Sequence, residues 1–265
     1  MSVPVPSDWN LYRDARLILG VDEEGNPVEV DLYGGGHMAV QGMTRSGKSV
    51  FLMNVLANLT GHPAEAVEVC GVDPTGVLLG PWEFQSERIA AATDSRRSAE
   101  VVASIVEEMD RRIAVLRSRR LDKFEGEDGA PYLIVVLDEY PGTLARADLE
   151  DRGSAKAIRL GVQRLVLEGA KVAVRVVIAA QKALSDTLGS EVRSNLSARV
   201  SFRVDSPESV RLLHPSLANA VELVDEMRDW KPGVGLWDAS GRVRRFRADW
   251  LPYSRYLEAV EGSRT

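Results

Sequence analysis

A single cysteine, Cys70, is all the thiol in this chain of 265 residues. No internal disulfide can therefore hold the fold together, and the position of Cys70 inside VEVCGV reads as a core site. Histidine is nearly as scarce. His37, His62 and His214 are the three present, and they are scattered, which leaves no spacing suited to a zinc site. No apolar run approaches the roughly eighteen residues that a membrane-crossing helix requires. The opening residues, MSVPVPSDWN, lack the basic start and apolar segment of a secretory leader. A cytoplasmic location is the expectation. An excess of basic charge is missing as well: the formal net charge is -6. Composition alone therefore points to no polyanion, and a nucleic acid would have to meet a local basic surface. What remains is ordinary for a globular protein, 45% apolar and 27% charged, with ample material for a core.

Against that plain background one stretch stands out, QGMTRSGKSV. Gly42, Gly47, Lys48 and Ser49 fit G-x-x-x-x-G-K-[ST], the spelling of a phosphate-binding loop, without a mismatch. The apolar run HMAVQG before it suits a buried strand, and SVFLMNVLANLT after it reads as a helix, with Val50, Met53, Asn54 and Ala57 along one face. Strand, loop and helix is the setting the motif needs, because backbone N–H groups and a helix N-terminus must converge on one anion. The cradle expected here runs through Gly42, Met43, Thr44, Arg45, Ser46, Gly47, Lys48 and Ser49.

Such a loop works with an acid at the tip of a buried strand. LIVVLDEY supplies Asp138, expected to hold Mg²⁺ opposite Ser49. Glu139 follows directly, where a carboxylate beside the γ-phosphate can orient or deprotonate water. This pairing points to hydrolysis rather than nucleotide storage. A third strand, VVIAAQK, ends in Gln181, a polar tip able to sense the γ-phosphate.

The runs VEVCGVD (67–73), YLIVVLDE (132–139) and VRVVIAAQ (174–181) are short, continuous and apolar, as strands buried on both faces of a parallel sheet are. Helical stretches lie between them. Val102, Ile105, Met109, Ile113 and Leu116 fall at helical spacing, and 154–168 is a second helix. The alternation predicts an α/β fold with a mostly parallel central sheet flanked by helices. Residues 11–33 suggest a small N-terminal β element around the turn DEEGNP, and GGG at 34–36 leads from it to the loop strand. After 199 the pattern is strand-rich, with a helix near 207–229.

In that order the signals resemble the motor domain of the FtsK/SpoIIIE family. LILGVDEEGNPVEVDL, HMAVQGMTRSGKS, GVDPTGVLLGPWE, EEMDRRIAVL, LIVVLDEY, VVIAAQ and VRSNLSARVSFRVDSPESVRLL each match a family stretch. The resemblance implies a RecA-like P-loop NTPase fold, a hexameric ring, and ATP-driven movement along double-stranded DNA. It also implies an N-terminal β element over 1–36 packed on an ATPase motor over 37–265. Two positions depart from the family: Arg45 stands where glycine is usual, and Thr75 where lysine is usual. Lacking a spanning segment and a winged-helix-like tail, the chain is most similar in form to compact transfer proteins of actinobacterial plasmids and integrative elements. A membrane-bound partner would then supply the anchor.

A ring also needs an arginine delivered across the subunit boundary. Arg199, in LSARVSF, matches the family's arginine, with Arg193 as second candidate. For DNA, two clusters qualify: Arg111, Arg112, Arg117, Arg119 and Arg120, and Arg242, Arg244, Arg245 and Arg247. Glu107 and Glu108, one turn before Arg111 and Arg112, are placed to pair with them instead. The reading is an ATP- and Mg²⁺-dependent DNA translocase for conjugative transfer. A related ring ATPase that threads protein, and a nucleotide-gated adaptor that does not hydrolyse, are the alternatives.

Overall fold

The structure, a computed structural model, describes residues 16–31, 35–63, 65–124, 130–181, 188–239 and 241–263. Parts of the expected N-terminal element, 1–15 and 32–34, lie outside them. The strands are β1 (Arg16–Asp22), β2 (Pro27–Asp31), β3 (His37–Gln41), β4 (Val67–Asp73), β5 (Ile89–Ala91), β6 (Tyr132–Leu137), β7 (Val174–Ala180), β8 (Leu196–Ser201), β9 (Val234–Ala239) and β10 (Arg242–Ala248). They form one sheet in the order β2-β1-β10-β9-β8-β3-β7-β6-β4-β5. From β8 to β5 every pairing is parallel. From β8 outward to β2 every pairing is antiparallel. The expected α/β fold with a mostly parallel central sheet is what is observed, and the β1–β2 hairpin joins the same sheet at its antiparallel edge.

The parallel strands read as unbroken apolar runs because both faces are covered. On one face Met38, Val40, Ile134, Val136, Val177 and Ala179 pack under α1 (Lys48–Leu59) and α8 (Tyr253–Gly262). On the other, Leu133, Val135, Leu137, Val176 and Ile178 pack under α2 (Ser95–Arg119), α3 (Tyr140–Glu150) and α4 (Arg152–Glu168). Alternate residues of one strand thus serve opposite layers. A smaller cluster, with Val204, Val210, Leu223, Val224 and Met227, lies under α6 (Pro207–Leu213) and α7 (Ala220–Met227). The short α5 (Ser190–Ser194) leads into β8.

Several expectations are corrected. The face of α1 is not Val50, Met53, Asn54 and Ala57. Phe51, Leu52, Val55, Leu56 and Leu59 are buried with Met53 and Asn54, while Val50 and Ala57 are only half-buried. Sheet, β1 and α8 enclose this helix, so its buried surface is wider than a stripe. The helix near 207–229 is two helices, because Pro215 follows His214 and a residue before proline avoids the helical region; His214 sits at φ -122°, ψ 71°. Between 139 and 154, where no element was expected, α3 forms.

Arg111 and Arg112 of α2 serve the fold. Arg112 is 1% exposed. Its Nε donates to Glu108 at 2.8 Å and its NH1 to the Val172 carbonyl at 3.1 Å, fastening α2 to the turn before β7. Arg111 donates to Glu108 through both Nε and NH2, at 2.7 Å each. These two guanidiniums hold the Glu108 carboxyl down at about 2 against the pull of its partial burial.

A carboxyl whose folded-state value is depressed stabilises the fold above its unfolded value, and that stability is lost as pH falls through the folded one. Glu108→Gln should therefore cost about 2 kcal/mol at pH 7, below the range for breaking a fully buried pair because Glu108 is only partly covered. Urea unfolding across pH should show the deficit shrinking between 4.5 and about 2. A deficit independent of pH would mean the glutamate acts by shape alone.

Candidate functional site

The loop begins where β3 stops. Gln41, its last residue, is buried, and the next N–H, of Gly42, bonds the Ala180 carbonyl at the tip of β7, 3.1 Å away. Met43 N–H bonds the Arg203 carbonyl at 2.8 Å, so the loop is rooted on β7 on one side and beyond β8 on the other. A side chain at Gly42 would meet Ser46 Oγ at 2.5 Å and Phe202 Cβ at 2.8 Å. Gly47 sits at φ 109°, and a Cβ there would lie 2.5 Å from the Gly233 nitrogen. That nitrogen donates to the Ser46 carbonyl at 2.8 Å. Gly47 is required by close backbone approach, and Gly42 by the side chains of Ser46 and Phe202 packed against it. Arg45 lies at φ 63°, a left-handed backbone that glycine takes freely and that costs a residue with a side chain about 1 kcal/mol.

Helix α1 starts at Lys48 with no side-chain cap and no acid in its first turn. Its first N–H groups and the positive end of its dipole face the loop, which suits an anion. The loop and Gln181 line a cavity of about 180 Å³. Ser46 Oγ is buried in the loop without a hydrogen-bond partner among the described residues.

Asp138 and Glu139 follow β6, one strand removed from β3 with β7 between them. Asp138 N–H bonds the Val72 carbonyl at 2.9 Å, which aligns the acid with the end of β4. Glu139 turns the chain into α3 through a left-handed backbone, φ 48° and ψ 44°. Both carboxylates take Lys48. Its Nζ lies 3.3 Å from Asp138 Oδ1 and bonds Glu139 Oε1 more closely still. Burial pushes the Asp138 carboxyl up, opposed by the Lys48 ammonium and reinforced by Asp73 and Glu139.

Gln181 follows β7, and its Oε1 accepts from Thr44 Oγ1 at 3.1 Å, so the third strand tip touches the loop. Ser49 is exposed at the start of α1. The Ser49 hydroxyl and the Asp138 carboxylate are hard oxygen donors of the kind Mg²⁺ takes, and the loop's open N–H groups suit phosphate, so these residues fit both groups. Arg199 is not part of this constellation. It sits in mid-β8, its Nε bonded to the Leu196 carbonyl at 3.0 Å and its NH2 to the Arg193 carbonyl at 3.3 Å.

Two contributors escaped the sequence reading. Asp73, fully buried at the end of β4, accepts from Thr75 N and Oγ1, Leu78 N and Leu79 N, and so shapes the neighbouring loop. Its signal was available, since it too is an acid ending an apolar strand. Gly233 closes the loop from far along the chain, and nothing local marks it.

The basic clusters separate. Arg111 and Arg112 are taken by Glu108. In the second cluster Arg244 pairs with Asp22 at 3.0 Å, and Arg245 pairs with Glu226 at 2.6 Å while lying over the Trp230 ring. Arg117, Arg119, Arg120, Arg242 and Arg247 are exposed.

A phosphate-type loop after a central parallel strand, with an acid pair at the tip of a strand one place removed, defines a RecA-like P-loop nucleotide-binding fold. Within that class the FtsK/SpoIIIE family model matches residues 6–227, and the chain belongs to that family. It is 29% identical over 210 residues to the DNA translocase SftA of Bacillus subtilis, covering 74% of this chain and 21% of that protein. With the DNA translocase SpoIIIE of the same organism it shares 26% over 229 residues, 78% of this chain and 28% of the other. The chain thus spans under a third of either relative. The fold is similar to that of the pCW3 conjugation coupling protein TcpA, solved in a monomer form with ATPγS. That match has a TM-score of 0.78 at 19% identity and covers 99% of this chain and 74% of the other. The Type VII secretion ATPase EccC of Thermomonospora curvata aligns with a TM-score of 0.71 at 22% identity, over 98% of this chain and 32% of that one.

Two carboxylates facing one ammonium leave excess negative charge in a buried place. A carboxyl raised in the fold lends stability at low pH and loses it as pH rises through its folded-state value. Asp138→Asn should therefore match or exceed the parent in melting temperature at pH 7, with any gain vanishing once pH falls below the carboxylate range. Thermal scans at several pH values check this. A variant clearly less stable at pH 7 would mean that the Lys48 pairing outweighs burial.

Proposed function

We propose that this chain is the motor portion of an ATP-hydrolysing translocase that moves double-stranded DNA. The observation that carries this reading is the sequence match to proteins named DNA translocases across most of the chain, together with the meeting of Lys48, Asp138 and Glu139 at the loop. Transfer of a plasmid or integrative element is the setting we propose, since TcpA, which shares the fold, is itself named a conjugation coupling protein. The working form would be a ring, a hexamer by family resemblance, in the cytoplasm, held at the membrane by a partner protein.

In this mechanism backbone N–H groups from Gly42 to Ser49 cradle the ATP phosphates, and the Lys48 ammonium passes from the two carboxylates to the β- and γ-oxygens. Ser49 and Asp138 would hold Mg²⁺, which when bound neutralises charge on those oxygens. Release from Lys48 frees Glu139 to orient water and take its proton. Gln181, bonded to Thr44, sits where occupancy by a γ-phosphate is felt at the loop. Arg199 acts on a neighbour's nucleotide, since in its own subunit it lies in mid-strand away from the loop. DNA is held through its phosphates, so affinity is nearly sequence-independent and falls steeply with salt.

ATP turnover with and without duplex DNA, measured across protein concentration, tests the reading. Turnover should rise with DNA and with assembly. ATP turnover unaffected by DNA at low salt points to a protein cargo, and no turnover at all points to an adaptor.

Lys48→Ala should abolish ATP binding in a calorimetric titration, and unchanged affinity would sink the loop assignment. Glu139→Gln should bind ATP yet lose about two to four orders of magnitude in turnover, the usual worth of a positioned base. Arg199→Ala and Glu139→Gln, each nearly inactive, should recover part of the turnover when mixed. Mixtures as inactive as either parent, under conditions where rings assemble, would remove Arg199 from a role in trans.

A further inference from the structure

On the face of β3, β8 and β9 that α6 covers, four polar side chains are connected in series under apolar cover. Gln41 Nε2 donates to Ser201 Oγ at 2.7 Å and to the Ser209 carbonyl at 2.9 Å. Ser201 Oγ lies 2.7 Å from His214 Nε2. His214 Nδ1 lies 3.2 Å from Asp238 Oδ2. Asp238 in turn faces Arg199 in register across β8 and β9, with Arg199 NH1 3.9 Å from Oδ2. One proton order satisfies every member. The Ser209 carbonyl needs a donor and so fixes the Gln41 amide. Ser201, accepting from that amide, gives its own proton to Nε2, and Nδ1–H goes to the carboxylate.

Serine, histidine and aspartate in this order resemble a hydrolytic triad. Ser201 and His214 are fully buried, with Asp238 3% and Gln41 1% exposed, so no substrate can reach the serine. The arrangement has another use. Gln41 is the last residue before the phosphate loop, and its carbonyl accepts from Phe202 N–H at 2.9 Å, just beyond β8. At the other end, Arg199 is the one member half-open to solvent.

We infer that Gln41, Ser201, His214 and Asp238 form a coupling chain between Arg199 and the root of the phosphate loop, with Ser201 and His214 as positioning residues. This rests on the reading of Arg199 as the residue serving a neighbouring subunit. When Arg199 leaves its strand to meet a neighbour's nucleotide, Asp238 keeps only the imidazole, which draws His214, Ser201 and Gln41 toward β9. The root of the loop moves with Gln41. Hydrolysis next door and phosphate grip at home are thereby linked through buried side chains rather than through the subunit surface.

The test is a double-mutant cycle in the full chain with Ser201→Ala, which removes one hydroxyl and adds no bulk. Ser201→Ala should lower DNA-stimulated turnover about tenfold while ATP affinity stays within twofold. In an Arg199→Ala background it should have no further effect. His214→Gln, measured in the same way, serves if the alanine variant melts markedly lower than the parent. A hydroxyl with only a structural role would lower the melting temperature and leave turnover intact, which overturns the inference. So would losses that multiply in the double variant, while the reading of Arg199 stands. Arg199→Ala at parental turnover would overturn that reading itself and the coupling with it.

Discussion

One ammonium group between a buried and a half-buried carboxylate is the interaction around which this site is arranged. Lys48 comes from the start of a helix, and Asp138 and Glu139 from the end of a strand two positions away in the sheet. Their meeting ties the loop to β6 across β7. The charge balance is unfavourable: two negative groups share one positive group where water is scarce. A site left short of positive charge takes up cations readily. A carboxyl raised by burial, as that of Asp138 is, often marks a functional site.

The sheet explains how such a site can be held. Strands covered on both faces have no place for polar groups except their ends, so Gln41, Asp73, Asp138 and Gln181 all gather along one rim. The antiparallel half of the sheet supports that rim. Strands β8 to β10 bring Arg203 and Gly233 against the loop, so the antiparallel strands also determine the shape of the phosphate cradle.

Legibility in the sequence follows the range of the interactions. The loop, the acid pair after LIVVL and the glutamine after VVIAA were readable because each is spelled within a few consecutive residues. The central strands were readable because burial on two faces demands apolar runs. Helix α3 was not anticipated; its first turn holds Pro141 and Gly142, and proline is tolerated at a helix start. Strand β5 is three residues long, too short for any period. Arg112 read as a DNA candidate or a partner of Glu107 and Glu108; the pairing with Glu108 is the one observed, and nothing local tells that the turn at 169–172 will also cover it. The chain from Gln41 to Asp238 was invisible for the same reason. Its members stand far apart in sequence, and only β-sheet register and the break at Pro215 bring them together.

The bond from Gly233 to Ser46 also sets a timetable. A ribosome releases the loop early, yet the residue that closes it emerges only after β8 and α7 have been made. Until then Gly47 lacks the backbone that crowds it, whereas Gly42 already meets Ser46 and Phe202. The parallel strands β3 to β7 can assemble during synthesis, as N-terminal portions of a chain do. The Ser46 carbonyl therefore gains its partner only after residue 233 has been made, well after the strands on either side of the loop.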